Sequence, residues 1–280
     1  ITDIAATREW MEVYKDLNPI VQAEIMTFFG QRGDQTVMPL VKQGLSSDSH
    51  ELKTASMVAL GKLQGKAAVG PILSVMAKAS DEDVLAAQKV LNTLIGPNEM
   101  HALASSYENQ NKAGQIAILE LLAARQAKDY FALVKENTAN EDADIQKAAY
   151  KALAHVSDLP NLKVLISSLF RLTDDTYLKE TQNAIIASAM KAESDPAKPI
   201  LDAFTGATKR QYRLIGLLPE LGGPEALKTT AKAFSEGDEK SKRLAFEALT
   251  KWNDYTASSA LFDICSSTHG DYQTKAFAGY

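Results

Sequence analysis

Residues 50–79 read HELKTASMVALGKLQGKAAVGPILSVMAKA. Apolar side chains recur every three or four residues from Leu52 to Leu63, which is typical of a helix that buries one face. Gly65 interrupts this pattern, and a second one follows with Val69, Ile72, Leu73 and Met76 as its apolar members. The polar run that begins at Ser80 supplies an N-cap for the next helix. The stretch therefore predicts two short amphipathic helices that pack as a pair.

The same pattern recurs about every 31 residues along the chain. An apolar position near the end of the first helix marks each recurrence: Phe28, Leu60, Leu91, Leu121, Leu153, Ile186, Leu218 and Leu249. A period in this range is typical of a solenoid, in which each unit buries its apolar face against its neighbours. The alternation of period two that indicates β-strands is absent from the sequence. We therefore predict an all-α chain.

The recurring blocks point to one repeat family. Residues 60–65, 153–158 and 218–227, together with acidic turns before alanine-rich helices, resemble the short HEAT-like repeats. The signatures of ankyrin and tetratricopeptide repeats are missing. The resemblance implies a right-handed α-α superhelix of about eight two-helix repeats. It also implies a single array over residues 1–280, with a leading helix at 1–17, repeats over about 18–273, and the start of a truncated further helix at 274–280.

Composition narrows the possible partners and compartments. The net charge of −5 is mild and no basic stripe is present, which argues against a nucleic-acid surface. No apolar run reaches the roughly 18 residues of a membrane helix, so we expect no membrane insertion. The single Cys265 excludes an intrachain disulfide framework and a cysteine-based zinc site. The chain begins at Ile1 with neither a Met nor a basic, apolar leader, which is expected of a processed secreted protein or of an excised domain. The compartment stays unknown, with a periplasmic or extracellular location favoured over a cytoplasmic one.

Three motifs with possible chemistry have simpler structural explanations. The pair His50-Glu51 resembles a ligand pair of di-iron HEAT-like hydroxylases, but one pair cannot hold two metals and the other histidines lack a following Glu. Residues 61–67 have the wrong spacing for a phosphate loop. The acidic runs 81–83 and 141–144 do not continue into a calcium-binding loop and are interpreted as N-cap turns. We expect no catalytic residue, no metal and no cofactor.

The remaining candidate site is the inner wall of the array. In HEAT-like proteins the second helix of each unit lines the concave surface, and aligning the units places six residues on it: Lys42, Ser74, Ser105, Lys135, Ser167 and Lys232. We therefore predict a non-catalytic scaffold for protein–protein interaction or spacing, whose partner is a protein or a covalently linked downstream domain.

Two alternatives remain open. The degenerate, alanine-rich units resemble arrays that precede a domain of the 3-keto-disaccharide-hydrolase type in secreted bacterial proteins. In that case the chain is the accessory repeat region of a larger carbohydrate-active hydrolase. The other alternative is a bilin lyase-like HEAT protein. A solenoid architecture alone does not distinguish these functions, because function depends on the site and not on the fold.

Overall fold

A computed structural model describes residues 4–206 and 210–279, and within those residues helix is the only regular secondary structure. The prediction of an all-α chain is confirmed for this part of the sequence. The backbone forms two compact units, Ile1–Ala152 and Leu153–Tyr280. No helix in the described ranges is long and apolar enough to cross a membrane.

The first unit alternates long and short helices. Its helices are α1 (Ile4–Tyr14), α2 (Pro19–Arg32), α3 (Met38–Gly44), α4 (His50–Gln64), α5 (Val69–Met76), α6 (Asp81–Leu94), α7 (Met100–Ser105), α8 (Lys112–Ala124), α9 (Phe131–Asn137) and α10 (Ala143–Val156), the last of which continues past the unit boundary. The first helix of each pair is the long one. The second is short, and in this unit a 3₁₀ turn precedes each of α3, α5, α7 and α9.

Capping residues set where the long helices begin. In each case a side-chain oxygen accepts a hydrogen bond from the backbone N–H three residues later, and the capping residues are Asn18, Ser49, Ser80, Asn111 and Asp142. These five positions are 31 residues apart. A side chain at this position satisfies a backbone N–H that has no partner within the helix. The capping residues therefore follow the repeat period without deviation over these five helices.

Close packing between long helices builds the core of the first unit. Helix α2 packs against α4, α4 against α6, and α6 against α8. A Cβ atom added to Gly30 would lie 2.7 Å from the Cα atom of Ala59, so the backbones of α2 and α4 touch at this point. Side chains such as Met26, Phe29 and Met57 are fully buried between these helices. Burying one such side chain stabilises the fold by about 1.5–3 kcal/mol.

Polar side chains also join successive pairs in the first unit. The Asn111 side-chain amide donates to the carbonyl of Ala79, at 2.9 Å, and the Tyr107 hydroxyl donates to Oδ1 of Asn137, at 2.7 Å. These bonds span 32 and 30 residues, which is close to one repeat period. Asn111 thus caps its own helix and also ties the preceding turn to it.

The second unit is also built of helices, but its long and short helices alternate less regularly. Its helices after α10 are α11 (Leu162–Arg171), α12 (Leu178–Ala189), α13 (Lys198–Gly206), α14 (Tyr212–Ile215), α15 (Leu218–Leu221), α16 (Pro224–Glu236), α17 (Glu239–Thr250), α18 (Ser258–Ser267) and α19 (Asp271–Gly279). The long helix expected around Leu218 is replaced by the two four-residue helices α14 and α15. Pro219 lies in the first turn of α15, where its missing N–H costs nothing.

The two ends of the described chain are helical. Helix α1 lies within the leading segment 1–17, of which residues 1–3 fall outside the described residues. Helix α19 starts at Asp271, three residues earlier than the expected start at Thr274, and Tyr280 lies outside the described residues. The earlier start follows from Gly270, which has a φ of 73° and ends the preceding turn.

Candidate binding cleft

All six residues of the predicted concave row lie on second helices. They are distributed over α3, α5, α7, α9, α11 and α16, and all except the partly buried Lys135 are exposed. All three serines are already engaged: Ser74 donates to the carbonyl of Gly70, Ser167 donates to that of Lys163, and the Ser105 hydroxyl lies 3.4 Å from Nε2 of His101. Intrahelical bonds of this kind leave the hydroxyls less free to recognise a ligand.

Lys232 is the member of the row that lies beside a cavity in the second unit. A cleft of about 540 Å³ opens where α16, α17, α18 and α19 meet. We call it the terminal cleft, and it is lined by Ala231, Lys232, Phe234, Ser235, Glu239, Lys242, Ala260, Asp263, Ile264, Ser267, Thr268 and Tyr272. Its volume is within the range of about 300–1,000 Å³ that ligand pockets occupy.

Aromatic side chains hold the helices around the terminal cleft. The Tyr272 ring meets the Phe234 ring edge-on, with centroids 5.3 Å apart, and the Phe246 ring at 5.1 Å. Edge-to-face pairs of this kind contribute about 0.5–1.5 kcal/mol beyond the burial of their surface. Ile264 is buried in the same cluster. The floor of the cleft is therefore apolar, and Tyr272 of α19 is part of it.

The rim of the terminal cleft carries charges of both signs. Lys232 pairs with Glu236 at 3.6 Å and Lys242 with Glu239 at 3.8 Å, both within single helices. Exposed pairs of this kind contribute only about 0–1 kcal/mol. A carboxylate brought by a partner can therefore replace Glu236 at Lys232 with little loss. Asp263 is a further rim carboxylate.

The serine and threonine hydroxyls of the terminal cleft are already used by its own helices. Ser235 donates to the carbonyl of Lys232, Ser267 to that of Asp263 and Thr268 to that of Ile264. None of these bonds is the pairing of a nucleophile with a base that covalent catalysis requires. The arrangement is suited to holding an apolar group between charges.

His50 contacts a carboxylate that lies one repeat later in the chain. Its Nδ1 lies 2.6 Å from Oδ1 of Asp83 on α6, and the Lys53 ammonium lies 2.5 Å from the other oxygen of the same carboxylate. Glu51 instead accepts a hydrogen bond from the Ser49 hydroxyl. Burial raises the pKa of Asp83, but the hydrogen bonds from Lys53 and His50 outweigh it and hold that pKa below its usual value. The contacts of His50 and Lys53 with Asp83 therefore join two successive repeats.

No group of three or more His, Cys, Asp and Glu side chains in the described part of the chain is placed to hold a metal ion.

Of the residues that line the terminal cleft, the sequence analysis identified only Lys232. The sequence signal that marks the other cleft residues is the placement of three large rings, Phe234, Phe246 and Tyr272, in helices with many small residues.

No family model matches the chain, and no curated protein matches it in sequence.

Proposed function

We propose that the chain is a non-catalytic α-solenoid of short HEAT-like repeats that acts as a scaffold for a protein partner. The support for a solenoid is the 31-residue spacing of the caps and the succession of contacts from α2 to α4, α6 and α8. In such an array each repeat is stabilised by its neighbours, and the exposed faces remain available for binding.

The terminal cleft is the proposed partner site, and its combination of an apolar floor with a charged rim carries the proposal. Protein interfaces concentrate their binding energy in an apolar anchor that fills a pocket, surrounded by polar contacts that exclude water. Here Phe234, Ile264 and Tyr272 form the pocket, and Lys232 and Lys242 stand beside it. A partner segment with an apolar side chain next to an acidic one matches this surface.

A protein segment matches the terminal cleft better than a small molecule does. Small-ligand sites fix the orientation of the ligand with a few converging polar groups. The serine and threonine hydroxyls of this cleft donate to their own helices, so such groups are scarce. A peptide obtains its orientation from contacts outside the cleft as well, and therefore needs fewer directional groups inside it.

A displayed library of random peptides, selected on the full chain, tests this proposal. Ser235→Trp places a large ring in the mouth of the cleft from an exposed position on α16, and Lys232→Glu reverses the rim charge. We expect the selected peptides to carry an apolar residue beside an acidic one. Their affinity should fall at least about tenfold on Ser235→Trp and up to about fivefold on Lys232→Glu, since one exposed pair contributes at most about 1 kcal/mol.

Matched control variants lie on the second helices of the first unit. Ser105 and Lys42 are exposed on α7 and α3, so Ser105→Trp and Lys42→Glu make the same chemical changes away from the terminal cleft. Peptides that bind the wild-type chain should bind both controls equally well. Selected peptides that bind Ser235→Trp as tightly as wild type would show that the partner site lies elsewhere.

A further inference from the structure

A second depression in the second unit arises from the interruption of the repeat. Where a regular array has one long helix, the chain forms α14 and α15, and a groove of about 300 Å³ opens between α12, α14 and α17. A Cβ atom added to Gly216 would lie 3.3 Å from the Gln182 side-chain nitrogen, so the chain passes close to α12 at this break. We call this depression the Tyr212 groove.

Arg213 forms the buried wall of the Tyr212 groove. Its side chain is 3% exposed, and its guanidinium donates to the carbonyls of Leu169, Leu172 and Asp174. It also forms an ion pair with the Asp175 carboxylate at 3.0 Å. The charge of Arg213 is therefore fixed in place and balanced by Asp175. It polarises the groove but is not free to move toward a ligand.

Tyr212 and Lys240, which both line the groove, are in contact with each other. The Lys240 ammonium lies 4.0 Å from the centroid of the Tyr212 ring. Hydrogen bonding to Lys240 lowers the pKa of the Tyr212 hydroxyl, and a hydrogen bond from Arg213 adds to this, so the pKa lies below its ordinary value although burial acts in the opposite direction. Tyr212 is thus a strong hydrogen-bond donor beside a positive charge.

Two further cations extend the positive surface along α17 and just past its end. Arg243 and Lys251 line the same groove, and both side chains are exposed to solvent. Glu220 and Glu247 are the carboxylates that line the groove besides Asp175. Because Arg213 and Asp175 balance each other, Lys240, Arg243 and Lys251 outnumber these two carboxylates.

We propose that the Tyr212 groove binds the phosphate group of a small phosphate monoester. Lys240, Arg243 and the Tyr212 hydroxyl are three different kinds of hydrogen-bond donor. A phosphate has three terminal oxygens that point in different directions and can accept hydrogen bonds from them. A phosphate monoester carries between one and two negative charges near neutral pH, and the one excess positive charge among the residues that line the groove favours such an anion. Arg supplies a planar fork for two of its oxygens and Lys a single point charge.

The carboxylates of the groove restrict the rest of the ligand. Glu220 and Glu247 line the groove together with Gln182, whose side-chain nitrogen already donates to the carbonyl of Arg213 at 2.8 Å. Ionised carboxylates only accept hydrogen bonds, so they favour hydroxyl groups on the ligand and disfavour further anionic groups. The groove volume of about 300 Å³ is at the small end of ligand pockets. The matching class is a small hydroxylated molecule with one phosphate.

Isothermal titration of the full chain with glycerol phosphate tests the proposal. We expect saturable binding that weakens at least about tenfold in the double variant Lys240→Met/Arg243→Met and severalfold in Tyr212→Phe, because each change removes a donor to the phosphate. Lys240 and Arg243 are exposed on α17, so methionine preserves the helix and most of the side-chain length. The alkaline absorbance change that wild type shows and Tyr212→Phe lacks gives a second measurement, since a bound dianion disfavours ionisation of the Tyr212 hydroxyl.

Controls separate this site from the terminal cleft and from general charge effects. Lys228→Met/Lys232→Met removes two exposed lysines of α16 and should leave glycerol phosphate binding unchanged, as should Ser235→Trp. Succinate should bind at least about tenfold more weakly than glycerol phosphate, because each of its carboxylates presents two acceptor oxygens where a phosphate presents three. Absence of saturable binding, equal loss in the α16 control, or equal affinity for succinate would each overturn the assignment.

Discussion

Replacing Asp83 with Asn tests how strongly one side chain joins two repeats. The Asp83 carboxylate is 4% exposed and receives the Lys53 ammonium at 2.5 Å and His50 Nδ1 at 2.6 Å. Hydrogen bonds to charged groups contribute about 1.5–3 kcal/mol each. Asparagine keeps the size of the side chain but presents one NH₂ group to these donors. We therefore expect the free energy of unfolding to fall by about 2–4 kcal/mol at pH 7.

Urea denaturation followed by circular dichroism measures this loss, and pH provides an independent check. The pKa of Asp83 is lowered in the folded chain by Lys53 and His50 despite burial. Its contribution is therefore present above the unfolded-state pKa of about 3.9 and disappears as pH falls through the folded pKa. The stability difference between wild type and Asp83→Asn should shrink as the solution is acidified below about pH 4.

Two further variants identify the cause of the loss. Asp81→Asn changes an exposed carboxylate in the same first turn of α6 and should cost no more than about 1 kcal/mol, the scale of a helix-dipole contribution. Lys53→Met/Asp83→Leu replaces the ion pair with apolar side chains and should recover much of the lost stability. A loss below about 0.5 kcal/mol in Asp83→Asn, or one equal to that of Asp81→Asn, would refute the reasoning.

Two other predictions concern the tyrosines and the array. Burial raises the pKa of Tyr14 and of Tyr107 to about 12, so between about pH 10 and 12 the folded chain keeps protons that the unfolded chain loses, and stability should fall across that window. Denaturation at pH 9 and at about pH 11 should show a smaller fall in Tyr14→Phe; an unchanged fall would contradict this. Ending the chain after Glu236 removes α17–α19 and should leave a folded, less stable array by circular dichroism, whereas complete loss of helix would contradict a solenoid.

The sequence predicts the helix pairs because their signals are local. The caps Ser49 and Ser80 and the breaks at Gly33 and Gly65 act on backbone within a few residues of themselves. Gly33 ends α2 with a φ of 75°, a conformation that glycine adopts without strain. Such features depend little on the rest of the molecule, so the alternation of helices and turns is readable before any packing is known.

Packing between helices decides what the local pattern leaves open. The helical spacing predicts that Trp10, Met11 and Tyr14 form the apolar side of the leading helix, but Trp10 is 47% exposed while Tyr14 is buried. A helical stripe shows which side chains share a face but not how far a neighbouring helix covers it. At the break that forms α14 and α15, the Gln182 amide donates to the carbonyl of Arg213 one repeat later, a contact that the local pattern does not show.

The Asp83 cluster shows which signal locates a contact between repeats. Counting three residues from each cap gives Val21, Leu52, Asp83, Gly114 and Ile145. Asp83 is the charged member of that set, and it is buried. Its partners His50 and Lys53 lie 33 and 30 residues earlier, about one repeat away. Comparing equivalent positions in adjacent repeats therefore predicts such contacts. A motif of two adjacent residues, such as His50-Glu51, does not predict them.

The same comparison contrasts the regular repeats with the regions of the two proposed sites. A regular repeat presents small residues to the neighbouring repeat, so that the long helices pack closely. Gly30 does so against Ala59. In the second compact unit, Phe234 and Tyr272 line the terminal cleft, and Tyr212 of the short helix α14 lines the other groove beside α17. Departures from the local rules are expected at functional sites, because a side chain used for binding is not available for packing. A repeat array therefore acquires a site most simply by losing regularity at one of its units.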